Sequence, residues 1–249
     1  MLVFGHRGAA GEAPENTVAG VRRAIEAGVT RIEIDLRLSA DRQLVVLHDR
    51  SLWRTAARKV NIDEIHSREL ASTDASHALP GWHGEACPVP LLQDLLASAP
   101  ELETVQLELK SDASTDVDAL VGALQDLFPT ARSARKVVTT SFDSEIIAEL
   151  AKHAPHIRRG IVAKRDPIAA MHTALELDCD YLCLMHKLMP RATREILESL
   201  QQSQLHISCW TVNKVADLAA QQRAGTHSVI TDLPGTLVPL CKKQPERSQ

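Results

Sequence analysis

Short apolar runs rich in β-branched residues recur from one end of the chain to the other, each followed by a stretch of helical period. This alternation constrains the fold more than any other feature, because it is the pattern of a parallel sheet covered by helices. The runs are "LVFG" near 2–5, "RIEIDL" near 31–36, "TVQLELK" near 104–110 and "KVVTTSF" near 136–142, followed by "IRRGIVA" near 157–163, "DYLCLM" near 180–185, "HISCWTV" near 206–212 and "HSVITD" near 227–232. The first helical pattern, "ENTVAGVRRAIEAG", places Val18, Val21 and Ile25 on one face and ends at Gly28. Others are expected near 91–98, 116–128, 144–153, 167–177, 191–202, 214–224 and 235–242. Eight such pairs in 249 residues predict an α/β fold of the (β/α)8 TIM-barrel type, with a doubly wound open sheet as the competing topology.

One interval breaks the rhythm. More than fifty residues separate "IEIDL" from the helix near 91. "QLVVLHD" reads as a short extra strand, and residues 50–89 read as a small insertion on one rim after the second strand. The whole chain, 1–249, is therefore expected to be one barrel domain with a polar tail at about 242–249.

Composition narrows the partners. A formal net charge of −4, from 28 basic and 32 acidic residues, provides no broad positive surface for nucleic acid or an anionic membrane. An anionic ligand must then be met by local positive charge. No apolar run has the length of a membrane span or a signal peptide, so the expectation is a cytoplasmic protein without stable membrane insertion. The cysteines Cys87, Cys179, Cys183, Cys209 and Cys241 are odd in number and scattered, which favours reduced thiols over a disulfide framework. "CDYLC" lacks a second pair and is not read as a zinc site.

In a parallel barrel, functional groups collect at the C-terminal ends of the strands. Glu33 and Asp35 lie two apart in "RIEIDL", so they share the face opposite Ile32, Ile34 and Leu36. Glu108 and Lys110 repeat the device against Leu107 and Leu109. Three inward carboxylates repel one another and resist desolvation unless positive charge stands between them. A hard divalent cation such as Mg2+ or Ca2+, which takes oxygen ligands, answers that need; a metal-free ion-pair network with Arg7 and Lys110 is the alternative. His6 and His48 end their strands on the same rim. Beside an oxygen-ligated ion they are free for acid–base work, whereas beside zinc they are natural ligands.

The ordered set "HRG" with "PENT" at 6–17, "EIDL" at 33–36, "LHD" at 47–49, "LELK" at 107–110, "SF" at 141–142 and "WTVN" at 210–213 resembles the glycerophosphodiester phosphodiesterase family over nearly the whole chain. The resemblance implies metal-dependent hydrolysis of glycerophosphodiesters, such as glycerophosphocholine or glycerophosphoethanolamine, to sn-glycerol 3-phosphate and an alcohol. Carried over by position, it makes Glu33, Asp35 and Glu108 the ligands of one Mg2+ or Ca2+ and His6 and His48 the acid–base pair, with His48 favoured as the acid on the leaving alcohol. It implies that Arg7 and Lys110 hold the phosphate and that Phe142 and Trp210 wall the pocket. Glu15 and Asn16 would support His6, Arg7 or the metal's water, though Asn16 or Thr17 also fits a plain helix cap.

Two departures bear on substrate preference: "LWRTAARK" keeps Arg54 and Thr55 of the family's Arg-Thr-Thr-glycine turn but lacks the glycine, and "PLLQ" replaces Pro-Thr-Leu-Glu. Lysophospholipase D-like action on a lipid diester, and a non-catalytic barrel that binds a phosphorylated metabolite, are the competing readings.

Overall fold

A computed structural model describes residues 1–242. The apolar runs become nine strands: β1 Leu2–His6, β2 Arg31–Leu38, β3 Leu44–Val46, β4 Thr104–Leu109, β5 Val137–Ser141, β6 Arg158–Ala163, β7 Tyr181–Met185, β8 His206–Trp210 and β9 Ser228–Thr231. All except β3 pair in parallel. They run in the order β1-β9-β8-β7-β6-β5-β4-β2, and β1 pairs back onto β2. That last pairing, with His6 beside Glu33, closes the sheet and excludes the open alternative. The expected (β/α)8 barrel is the fold.

Strand alternation sorts the side chains onto two surfaces. Ile32, Ile34, Leu36, Leu107 and Leu109 face outward and are buried in the large cluster shared with the helices. The inner row holds Phe4, Val138, Val162, Tyr181, Cys183 and Ile230, with Trp210 packed against them. Polar groups inside the barrel are paired: Gln106 Nε2 donates to Thr140 Oγ1 at 3.2 Å and Ser228 Oγ to Ser208 Oγ at 2.9 Å. At Gly160, an added Cβ would stand 2.6 Å from the Tyr181 Cβ and carbonyl oxygen, so β6 approaches β7 more closely there than a side chain permits.

β3 runs antiparallel to β2, with Val46 opposite Leu36. After it, Leu52, Ile62, Ile65, Leu70, Ala75 and Val89 form a small core of their own with Val45 and Leu47. The insertion is thus packed on the hairpin of β2 and β3, with its own short helices Trp53–Ala56 and Ser67–Leu70.

Helix ends differ from the sequence expectation where local capping decides. The first helix is Val18–Glu26: Thr17 Oγ1 accepts from Gly20 N at 3.1 Å at its start, and Gly28, at φ +87°, follows its end. The helix expected from 191 begins at Arg194, because the turn Met189–Arg191 contains Pro190 and Thr193 supplies the cap. All five cysteines are free. Among the described residues no helix is long and apolar enough to cross a membrane. The tail expected at 242–249 lies, beyond Lys242, outside the described residues.

Two glycine substitutions test the packing. Gly160→Ala is expected to lower stability by about 1–3 kcal/mol through overpacking. Gly122→Ala, inside the helix Val117–Leu127 where an added Cβ meets nothing within 4 Å, should raise it by about 0.5–1 kcal/mol. Urea unfolding of both variants reads the two signs.

Candidate active site

The mouth of the barrel is assembled from strand ends that are distant in sequence. After His6 the chain turns back through Arg7 at φ +49° and Gly8 at φ +85°. At Gly8 a Cβ would lie 2.5 Å from the Gly20 carbonyl carbon, so the first helix packs directly on this turn and only glycine fits. The turn also brings Arg7 N within 3.2 Å of Glu33 Oε2, where it donates a hydrogen bond.

Glu33, Asp35 and Glu108 are buried, and one oxygen from each lies within 4.8 Å of the others. Asp35 sits directly opposite Glu108 in the strand register. Asn16 braces Asp35 at both ends: its Nδ2 donates to Oδ2 at 2.8 Å, and its Oδ1 accepts from the Asp35 backbone N–H at 3.2 Å. Two cations face the acids. Arg7 Nε lies 3.1 Å from Asp35 Oδ2, and Lys110 Nζ lies 2.8 Å from Asp35 Oδ1 and in closer contact with Glu108. Asp35 Oδ1 is thus met by the Lys110 ammonium, whereas Glu33 Oε1 has no hydrogen-bond partner.

The electrostatics show how these charges are balanced. Burial and then the Asp35 charge push the Glu33 carboxyl up to about 8. The same two causes raise Glu108, against the pull of Lys110. Asp35 is also penalised by burial, yet Arg7 and Lys110 hold it well below the usual carboxylate range. Burial disfavours the charged Lys110, but Asp35 and Glu108 together keep it protonated above its ordinary range. Two cations are therefore enough for one of the three acids and insufficient for all of them.

Each histidine rests on a carboxylate through Nδ1. His6 Nδ1 is 2.5 Å from Asp232 Oδ1, which leaves Nε2 directed toward Glu33, 3.8 Å from Oε2. Asp232 is held in turn by Asn213, which donates from Nδ2 to Oδ2 and accepts from the Asp232 backbone N–H at 2.9 Å. His48 follows β3 by two residues. Because β3 runs back along β2, Leu47 N donates to Asp35 O at 3.0 Å and brings His48 beside the acids. His48 Nδ1 lies 2.6 Å from Asp49 Oδ1, and Arg54 Nε donates to Asp49 Oδ2 at 2.6 Å.

Burial lowers the pKa of His6, but the Asp232 hydrogen bond and the Glu33 charge outweigh it and the net shift is upward. Burial is the main cause that lowers His48; Asp35 and the Asp49 hydrogen bond pull upward, Arg7 and Lys110 pull downward, and the net shift is downward. The two histidines are thus shifted in opposite directions, His6 upward and His48 downward.

The remaining candidates divide. Glu15 touches none of the three acids; it bridges Arg7 Nη1 at 2.9 Å and Arg54 at 2.7 and 2.8 Å, tying the insertion to the first loop. Asn16 supports Asp35, and Thr17 is the helix cap. Phe142 and Trp210 meet edge to face with centroids 5.4 Å apart, and Trp210 Nε1 donates to Cys183 O at 3.1 Å. Sequence reasoning missed Asp232, Asn213 and Asp49. Asp232 had a usable signal, a lone acid closing the apolar run "HSVITD"; Asn213 and Asp49 lay inside quoted motifs with no role attached.

Residues 6–236 match the model of the glycerophosphoryl diester phosphodiesterase family. The chain belongs to that family. It is 28% identical over 247 residues to a glycerophosphodiester phosphodiesterase of Caldanaerobacter subterraneus subsp. tengcongensis, covering 97% of this chain and 98% of that protein. A shorter match of 147 residues, at 27% identity, covers 57% of this chain and 45% of a lysophospholipase D of Mus musculus. In three dimensions, an Oleispira antarctica phosphodiesterase in complex with the product sn-glycerol-3-phosphate aligns with a TM-score of 0.84 at 23% identity, over 98% of this chain and 97% of that one. A putative glycerophosphoryl diester phosphodiesterase of Silicibacter pomeroyi aligns with a TM-score of 0.82 at 24% identity, over 94% and 90%. Both structures share the barrel fold.

As a member of this phosphodiesterase family, the enzyme is expected to depend on the orientation of His6. Asp232→Asn should lower kcat by about 10- to 100-fold with little change in KM, since the imidazole loses its oriented tautomer while the acids and cations stay in place. Steady-state kinetics beside an unfolding curve separate this from a loss of fold.

Proposed function

We propose that the chain hydrolyses glycerophosphodiesters to sn-glycerol 3-phosphate and an alcohol, with one divalent cation held by Glu33, Asp35 and Glu108. The observation that carries this reading is the buried triad itself, which has more acid than Arg7 and Lys110 neutralise and, at Glu33 Oε1, a buried carboxylate oxygen without a hydrogen-bond partner. The residues suit a hard ion. Mg2+ and Ca2+ bind oxygen at about 2.0–2.6 Å, so donor oxygens within 4.8 Å of one another can share one. Among the described residues neither a thiol nor a histidine nitrogen joins the cluster, which leaves an oxygen-only ligand set suited to a hard ion. When bound, such a cation neutralises a phosphoryl oxygen and lowers the pKa of the attacking oxygen.

The chain's own groups supply the rest. Arg7 and Lys110, both largely buried beside the triad, offer the phosphate a positive local field within an acidic protein. Asp232 and Asp49 engage the Nδ1 atoms, so Nε2 of each histidine is the nitrogen that exchanges a proton with the attacking or leaving oxygen. Glu15 and Arg54 keep Arg7 oriented from the insertion side. Phe142 and Trp210 present an apolar wall at the opposite side of the mouth for the organic part of the diester.

A panel of glycerophosphodiesters, with lysophosphatidylcholine included, assayed with Mg2+, with Ca2+ and with chelator tests the reading. Release of glycerol 3-phosphate that chelation abolishes is expected, with the lipid diester turned over poorly. Glu33→Gln and Glu108→Gln should each lose nearly all turnover together with the cation-induced rise in Tm. Turnover and thermal shift both retained in folded variants would overturn the metal assignment.

A further inference from the structure

The inward rows of the strands continue past their last hydrogen-bonded residues and divide the mouth into two unlike halves. His6, Asp35, Lys110 and Asp232 belong to the half that surrounds the acids. On the other half, the rows Val138–Thr140, Gly160–Val162, Tyr181–Cys183 and His206–Ser208 lead upward to Phe142, Lys164, Met185 and Trp210. Three of these four are apolar. Lys164 stands out, and its Nζ lies over the Phe142 ring, 5.1 Å from the centroid, while Phe142 meets Trp210 edge to face.

Among the described residues, no carboxylate forms an ion pair with Lys164. The acids that adjoin Lys164 and Phe142 in sequence are turned to their own helices: Asp166 Oδ1 accepts from Ala169 N at 3.0 Å and Asp143 Oδ1 from Glu145 N at 3.0 Å. In the helix Val215–Arg223 after β8, Asp217 faces His186 at 3.8 Å. The aromatic face that would otherwise receive an alkylammonium group is therefore already covered by a lysine whose charge no acid neutralises.

We infer that this half of the mouth receives the leaving alcohol and that Lys164 sets its charge class. Neutral polyol and anionic groups, whose oxygens accept from Nζ, are favoured; choline and other ammonium alcohols are disfavoured because they meet a like charge on the ring they would stack against. The inference rests on the hydrolytic reading above and narrows its substrate class.

The test is kcat/KM for glycerophosphoglycerol and glycerophosphocholine, measured at low and at raised ionic strength, with the wild-type enzyme, Lys164→Met and Lys164→Arg. Wild type should favour glycerophosphoglycerol by about tenfold at low salt, the scale of one like charge roughly 6 Å away in a partly wet site. The preference should shrink as salt rises, nearly vanish in Lys164→Met and survive in Lys164→Arg. A wild type that prefers the choline ester, or a preference unchanged in Lys164→Met, overturns the role of Lys164 while leaving the hydrolytic reading intact. Failure of wild type to hydrolyse either diester overturns both.

Discussion

Three carboxylates buried within a few ångströms of one another, with two cations to face them, are the constraint around which the rest of the mouth is arranged. Taking Glu33, Asp35 and Glu108 out of water is unfavourable for each and worse for all three together. Arg7 and Lys110 relieve Asp35 first, since both contact it, and leave Glu33 and Glu108 raised. That imbalance is a liability for folding and an asset for binding a cation, and it explains why so many of the surrounding hydrogen bonds end on these acids. Asn16 clamps Asp35, the Arg7 backbone clamps Glu33, and the tight turn at Gly8 makes both contacts reachable.

The two histidines illustrate how a barrel gathers one site from remote segments. His6 ends the first strand and is oriented by Asp232 from the last, so the pair spans almost the whole chain and exists only because the sheet closes. His48 reaches the rim by a different route: the antiparallel strand β3 folds back along β2 and returns the chain to Asp35. The insertion then anchors this arm, with Arg54 holding both Asp49 and Glu15. An apparent interruption of the β/α rhythm is the element that delivers and braces the second histidine.

Much of this was legible in the chain. The period of two in "RIEIDL" and "LELK" placed the acids on one face and the aliphatic residues on the other, and the buried positions of Ile32, Ile34, Leu107 and Leu109 against the helices agree with it. The helix boundaries were legible where a residue carries its own signal, as at Gly28. They were missed where a short turn with Pro190 and the cap at Thr193 moved the start to Arg194. Glu15 was read as a support for His6, Arg7 or the metal's water; it does hold Arg7, and it also binds Arg54, which that reading did not include. That contact joins two loops whose relative placement no local pattern encodes.

By itself the sequence determined the alternation of elements, the facing of each strand and the kinds of groups that gather at the strand ends, because these follow from periods of 2 and 3.6 residues acting locally. Only the tertiary structure decided which of those groups meet. Closure of β1 onto β2 and β9 brought Asp232 to His6, the reversal of β3 brought His48 to Asp35, and the shared rim set Lys164 over Phe142. Those contacts depend on register and barrel geometry, which arise from the packing of the whole sheet and its helices rather than from any one segment.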